Sequence, residues 1–263
     1  MAKRSLGQNF LLDPNLTARI ANAGGNLAGL NVIEVGPGPG GLTRALLFET
    51  EAVIVHAIER DDRCVAALQE LVQFAEGRLV LHADDALKVD YESLCPAPRA
   101  LAANLPYNIA TTLLIGWLKL LPLFHSFTLM FQKEVAERLT AKTRTKDYGR
   151  LSVMAQWLCH VEQVFDIPPG AFLPPPKVTS TVVHLRPKPR TDDIPLEVME
   201  RLTAAAFGQR RKMLRQSLKQ LNINVEEFCE KAGILGTARA EEIDIAGFVR
   251  MAQTLREMSP KAA

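Results

Sequence analysis

Seven short apolar runs spaced through the first 185 residues constrain the fold most: Val32–Val35, Val53–Ile58, Leu79–Leu81, Ala100–Ala103, Phe127–Phe131, Val161–Phe165 and Thr181–Leu185. Runs of this length with helical segments between the first six read as strands covered on both faces, hence a mainly parallel α/β sheet. The last two runs are separated by the proline-rich loop Ile167–Lys177 instead of a helix, so they are expected to form an antiparallel pair at one edge. Arg186–Pro195 has the composition of a linker. A boundary is placed there, giving an α/β domain over 1–187 and a small all-helical domain over 188–263, with helices expected at Pro195–Leu221, Val225–Ala232 and Ile243–Met258.

The four cysteines lie far apart with no CxxC pair, and the five histidines fall at no metal-ligand spacing. Neither a disulfide framework nor a metal site is expected, and the histidines read as surface or satisfied core residues. The start of the chain, Met1-Ala-Lys-Arg-Ser, has no apolar core after its charges, and no apolar stretch is long enough to span a bilayer. A cytoplasmic protein without membrane contact is the expectation. A formal net charge of +2 does not by itself point to nucleic acid, so the distribution of charge must decide.

Residues 32–41, Val-Ile-Glu-Val-Gly-Pro-Gly-Pro-Gly-Gly, satisfy GxGxxG through Gly36, Gly38 and Gly41 between a strand and a helix, and Glu59 ends the next strand. That pattern is a dinucleotide fingerprint. Two details oppose it. Pro37 and Pro39 remove donors that a pyrophosphate would use, and Glu34 sets an acid where phosphate would be repelled but an ammonium held. A ligand with a ribose and an amino-acid tail but no phosphate suits both, and S-adenosylmethionine is such a ligand. Gly36, Glu59, Asp85 and Asn104 all fall at the carboxyl ends of predicted strands, where open α/β sheets bind ligands. Glu59 can accept from both ribose hydroxyls and Asp85 from the adenine amine, with the adjacent Asp84 able to exchange roles with it.

Residues 104–107, Asn-Leu-Pro-Tyr, follow the fourth run. The Asn104 side-chain carbonyl and the Leu105 main-chain carbonyl can accept both hydrogens of an adenine exocyclic amine and favour the pyramidal form in which its lone pair is localised. Pro106 fixes the turn and supplies no competing donor, and Tyr107 can stack on a flipped-out base. Asn104 cannot ionise as a base, so the proton is expected to leave after attack.

Six motifs in order, residues 4–11 (Arg-Ser-Leu-Gly-Gln-Asn-Phe-Leu), Val35-Gly-Pro-Gly, Asn104-Leu-Pro-Tyr-Asn, Gln132-Lys-Glu-Val, Tyr148-Gly-Arg-Leu-Ser-Val and Phe172-Leu-Pro-Pro-Pro-Lys-Val-Thr-Ser, resemble those of the ribosomal RNA small-subunit adenine dimethyltransferases. The resemblance implies a Rossmann-like, seven-stranded class I methyltransferase sheet followed by a small helical domain. It implies dimethylation of two adjacent adenosines near the 3′ end of 16S ribosomal RNA in an immature 30S particle, by a monomer using S-adenosylmethionine. It also implies that Asn9 and Leu11 contact the cofactor with Gly36, Glu59, Asp85 and Asn104, and that Phe172 flanks the target base opposite Tyr107.

Arg201–Lys219 contains six basic residues and no acid. With Arg211, Arg215 and Lys219 four apart, it reads as an amphipathic helix with a cationic side. Arg210, Arg211, Lys212 and Arg215 are therefore candidate phosphate contacts, and Lys142, Arg144 and Lys146, with Arg150, a second patch. Three alternatives compete: a 23S adenine methyltransferase of the macrolide-resistance type, a binding module of ribosome assembly without chemistry, and a dinucleotide oxidoreductase.

Overall fold

The computed structural model describes residues 9–258. Its elements follow in the order β1 (Phe10–Leu11), α1 (Pro14–Asn22), β2 (Asn31–Val35), α2 (Gly41–Phe48), β3 (Ile54–Glu59), α3 (Asp62–Phe74), β4 (Leu79–Ala83), α4 (Tyr91–Leu94), β5 (Arg99–Asn104) and α5 (Tyr107–Lys119). There follow β6 (Ser126–Gln132), α6 (Lys133–Thr140), α7 (Arg150–Leu158), β7 (Cys159–Ile167), β8 (Phe172–Leu173), β9 (Ser180–Pro187), α8 (Leu196–Gly208), α9 (Leu214–Ser217), α10 (Val225–Ala232) and α11 (Ile245–Met258).

The sheet is organised on β2, whose five residues are all buried. It pairs in parallel with β3 on one side and β5 on the other. The full order is β4-β3-β2-β5-β6-β9-β7. Because the chain leaves β2 toward β3 and returns on the opposite side at β5, a crevice opens at the carboxyl ends of β2 and β5. This is a Rossmann-like sheet, and each of the seven apolar runs falls in one of its strands, Val53 alone preceding β3 by one residue. β9 runs antiparallel to β6 and separates it from β7 at the edge. The burial follows: β9 is buried over Ser180–Val183, whereas most of β7 is polar and partly exposed. The sequence does not foresee the separate two-residue ribbon in which β1 pairs antiparallel with β8, Phe10 opposite Leu173 and Leu11 opposite Phe172.

By their packing the residues form two compact units, one running through Ala136 and resuming at Val161–Pro187, the other made of Glu137–His160 and the described residues from Lys188 on. Residues 137–160, assigned from sequence to the first domain, therefore belong with the helical one. The reason is long-range burial: α7 packs on α8 and α11. Tyr148, just before α7, is buried, and its hydroxyl donates to the Ile243 carbonyl at 2.9 Å. The expected linker is fastened to the same helix. Lys188 N–H donates to the Leu158 carbonyl at 2.9 Å, and Asp192 accepts from the Trp157 indole at 3.0 Å.

Pro195–Leu221 is not a single helix. α8 stops at Gly208 and α9 begins at Leu214. In place of a continuing helical ladder, the main-chain N–H groups of Leu214 and Arg215 donate laterally to the carbonyls of Ala238 (2.8 Å) and Gly236 (2.9 Å). Arg211, Arg215 and Lys219 consequently do not share one helical face.

Arg99 opens β5 with a buried guanidinium that donates to the main-chain carbonyls of Cys95 (2.7 Å), Glu92 (2.7 Å) and Leu123 (3.4 Å), tying together the loops that lead into β5 and β6. Arg99→Met keeps the apolar stem and removes every donor. It is expected to cost roughly 2–4 kcal/mol in urea unfolding; a loss within 0.5 kcal/mol, on the order of a surface substitution, would mean that these contacts are dispensable.

Candidate active site

The loop between β2 and α2 crosses the crevice, and its donors are used internally. The main-chain N–H of Gly36 donates to the Ile58 carbonyl and that of Gly40 to the Pro37 carbonyl, both at 3.0 Å, while that of Gly38 donates to Glu59 Oε2 at 3.1 Å. With Pro37 and Pro39 lacking an N–H, residues 36–40 offer a pyrophosphate no main-chain donor, and only the first turn of α2 from Gly41 on would be left to bind one. Gly38 has φ +56°, and a Cβ there would meet the Phe10 ring at 2.8 Å. A Cβ on Gly41 would meet the Leu11 carbonyl oxygen at 2.4 Å. The glycines thus admit the N-terminal segment, so that Asn9, Phe10 and Leu11 line the cavity with Gly36, Glu59, Asp84, Asp85 and Asn104.

Glu59 is buried, and its second oxygen, Oε1, accepts the main-chain N–H groups of Arg60 and Asp61, both at 2.9 Å. A carboxylate has about four acceptor positions. Three are occupied within the protein, so the expected bonds from two ribose hydroxyls would share the position that remains or compete with these main-chain donors. Asp85 accepts from Leu87 N–H at 3.1 Å and faces Arg60 at 3.6 Å, and Asp84 Oδ1 accepts the Asp85 N–H at 2.6 Å. Sequence reasoning missed Arg60 and Phe10, although each adjoins a residue it had selected.

Asn104 lines the cavity at the end of β5, and its Nδ2 donates to the main-chain carbonyl of Asn9 at 3.0 Å. Leu105 and Pro106 line the cavity too. The first helical bonds of α5 are accepted by the Pro106 carbonyl, from Ile109 and Ala110, which leaves the Leu105 carbonyl ahead of the helical ladder. Tyr107 is not among the residues lining this cavity; it is half-buried beside them, and its hydroxyl shares a 2.6 Å hydrogen bond with Ser180 Oγ on β9. Phe172 is not brought to this cavity. Its ring is 4% exposed and packs in the core cluster that includes Leu11, which corrects the expectation that it flanks a base. Residues 4–8 of the opening motif lie outside the described residues.

The sequence matches the family profile described as ribosomal RNA adenine dimethylase over residues 1–257. The chain belongs to that family. It is 56% identical to the ribosomal RNA small subunit methyltransferase A of Rhodospirillum rubrum over 97% of this chain and 88% of that one. Among solved structures it resembles a dimethyladenosine transferase from Plasmodium falciparum (TM-score 0.80, 26% identity, 95% and 98% of the two chains). It also resembles the 23S ribosomal RNA methyltransferase ErmE (TM-score 0.70, 29% identity, 94% and 100%).

In this member of the family the two basic patches fall in one packing unit. Lys142, Arg144, Lys146, Arg210, Arg211, Lys212 and Arg215 are all exposed. They are joined directly: the Arg210 guanidinium donates to the main-chain carbonyls of Lys146 and, at 3.2 Å, of Tyr148. Arg144 takes a left-handed φ of 66°, and its N–H donates to the Glu241 carbonyl at 2.7 Å. Arg210, Arg211 and Lys212 stand in the turn after α8, where the negative end of the helix dipole favours cations.

One histidine departs from expectation: His56 Nε2 is buried without a hydrogen-bond partner, while Nδ1 stands 3.2 Å from His82 Nε2.

Glu34, on β2, is 1% exposed and lines the cavity, and neither its Oε2 nor the buried Thr43 hydroxyl, close enough to influence it, has a partner of good hydrogen-bond geometry. Burial pushes its carboxyl up to about 8, aided by the Glu59 charge and only partly countered by the Thr43 hydroxyl. Such an acid keeps its proton in the folded protein and loses it in the unfolded chain between the ordinary pKa and 8, so its contribution to stability is complete below the ordinary value and is lost as the pH rises through 8. Without ligand, the protein should lose stability from pH 5 to 8 relative to Glu34→Gln, at up to about 1.4 kcal/mol per pH unit. Parallel stability curves in urea would contradict this.

Proposed function

We infer that this chain transfers methyl groups from S-adenosylmethionine to the exocyclic amines of two adjacent adenosines near the 3′ end of small-subunit ribosomal RNA, taking each to the N6,N6-dimethyl state on an immature 30S particle. The observation that carries this reading is the meeting, in one cavity, of Asn104-Leu-Pro with a glycine loop whose donors are spent and a buried acid with an orphaned oxygen. The family and the name of the Rhodospirillum rubrum relative support the reaction and the subunit.

The residues suit the cofactor. An ammonium group would satisfy Glu34 Oε2, ribose hydroxyls the remaining acceptor position on Glu59, and an adenine amine Asp85 or Asp84, with Asn9, Leu11 and Gly36 forming the wall. Bound there, S-adenosylmethionine supplies an electrophilic methyl group on a sulfonium. The protein's own contribution is geometric. Asn104 Oδ1 and the Leu105 carbonyl accept the amine hydrogens, Pro106 fixes the turn, and Tyr107, anchored through Ser180, stacks on the base. No side chain among these is a general base, so rate comes from holding the amine in line.

The base pocket recognises an adenine, and adenines are everywhere in RNA. Selectivity falls to the joined cationic surface of Lys142, Arg144, Lys146 and Arg210–Arg215, which reads the shape of a folded RNA through its phosphates. Incubation of the chain with labelled S-adenosylmethionine and unmethylated small-subunit particles tests the reading. Label should map to two adjacent dimethyladenosines. In a parallel incubation with protein-free 23S RNA, label there and none on the particles would favour the macrolide-resistance type, and no label on either substrate would favour a module without chemistry.

Asn104→Ala should slow single-turnover transfer by about 10²–10³-fold, the cost of losing one oriented polar contact in a transition state, while cofactor affinity in calorimetry changes little. Arg211→Glu with Arg215→Glu should weaken RNA binding and reduce the slope of log affinity against log salt by about 1 per lost contact. An unchanged slope would return both residues to an ordinary solvated surface.

A further inference from the structure

The Asn104 amide serves an incoming amine in only one of its two orientations. Its nitrogen faces the Asn9 main-chain carbonyl at 3.0 Å. A carbonyl only accepts, so this contact selects the NH₂ end and leaves Oδ1 as the free end of the amide. Rotated by half a turn, the side chain would set two oxygens against each other and offer hydrogens to an amine that itself has hydrogens to donate.

The Asn9 carbonyl is held in place from both sides. The next two residues form β1, paired to Leu173 and Phe172 of β8. Phe172 is anchored in the core beside Leu11. On the other side, the Phe10 ring and the Leu11 carbonyl press into space that only Gly38 and Gly41 leave open. An orientation needed at residue 104 thus depends on a contact 95 positions away in sequence and on a ribbon of two residues per strand.

We propose that the main-chain carbonyl of Asn9, clamped by the β1–β8 ribbon, is a positioning group that fixes the Asn104 amide with its oxygen toward the substrate amine, so that residues 9–11 set the rate of methyl transfer as well as cofactor affinity. This rests on the reading of Asn104 as the acceptor of the amine. It also gives β8 a role other than stacking on a base: Phe172 acts through the backbone of the N-terminal segment.

Asn104→Asp separates the two ends of the amide. A carboxylate still offers oxygen to the amine but sets oxygen against the Asn9 carbonyl; only the protonated acid donates to it. Its single-turnover rate, divided by that of the parent at each pH to cancel Glu34, Glu59, Arg60, Asp84 and Asp85 in the same cavity, should therefore rise as the pH falls. Leu173→Pro, at an exposed residue outside the cavity, should loosen the ribbon and cost about 10- to 100-fold in rate at saturating cofactor. In ¹⁵N-labelled protein it should also remove the slow exchange of one Asn104 side-chain hydrogen. A pH ratio for Asn104→Asp that is flat or falls toward acid would overturn the proposal, as would a folded Leu173→Pro with parental rate. Full activity of Asn104→Ala would instead overturn the reading on which the proposal rests.

Discussion

The buried carboxylate of Glu59 holds the site together. By accepting the N–H groups of Gly38, Arg60 and Asp61, it joins the loop after β2 to the turn after β3 at the point where the order of strands reverses. Charge-assisted bonds of this kind are about twice as strong as neutral ones. The glycine loop therefore closes on an acid of its own protein. Its donors are spent before any ligand arrives, and the cavity wall that results is rich in acceptors.

That wall gives Glu34 its meaning. A carboxyl group with an oxygen left unpartnered in a buried cavity is costly, and a protein keeps such a group where a ligand completes it. A cationic group would complete it, which fits the proposed cofactor with its amino-acid tail better than the pyrophosphate that the glycine spacing alone would suggest. On the opposite side of the crevice the same economy of donors governs Asn104, whose NH₂ is committed to Asn9 and whose oxygen stays available.

Much of this was legible in the sequence, for physical reasons. Ala100–Ala103 is apolar on both faces, and Val32–Val35 is too, apart from Glu34, because helices cover both, so they announce central strands, and an acid or amide at the end of such a run announces the ligand edge. The misses have one cause, contacts distant in sequence. Two residues of β1 carry no periodicity, so the pairing of Leu11 with Phe172 left no trace, and Phe172 was expected beside a base when it packs in the core. Residues 137–160 look like one more helix of the sheet until Tyr148 is seen bonded to Ile243. The basic run from Arg210 has a helix-compatible composition, yet the lateral bonds of Leu214 and Arg215 to residues 236–238 end the helix at Gly208. Glu59 lines the cavity as its place at the end of β3 suggests, but its three internal bonds were invisible from spacing.

The account stands on a site built for a phosphate-free cation, and calorimetric titration at pH 7 in two buffers of different ionisation enthalpy tests this most directly. S-adenosylmethionine should bind and release a proton from Glu34, the release should vanish in Glu34→Gln, and NAD should not bind. Binding of NAD with comparable affinity, or binding of S-adenosylmethionine with no proton exchanged, would contradict the account.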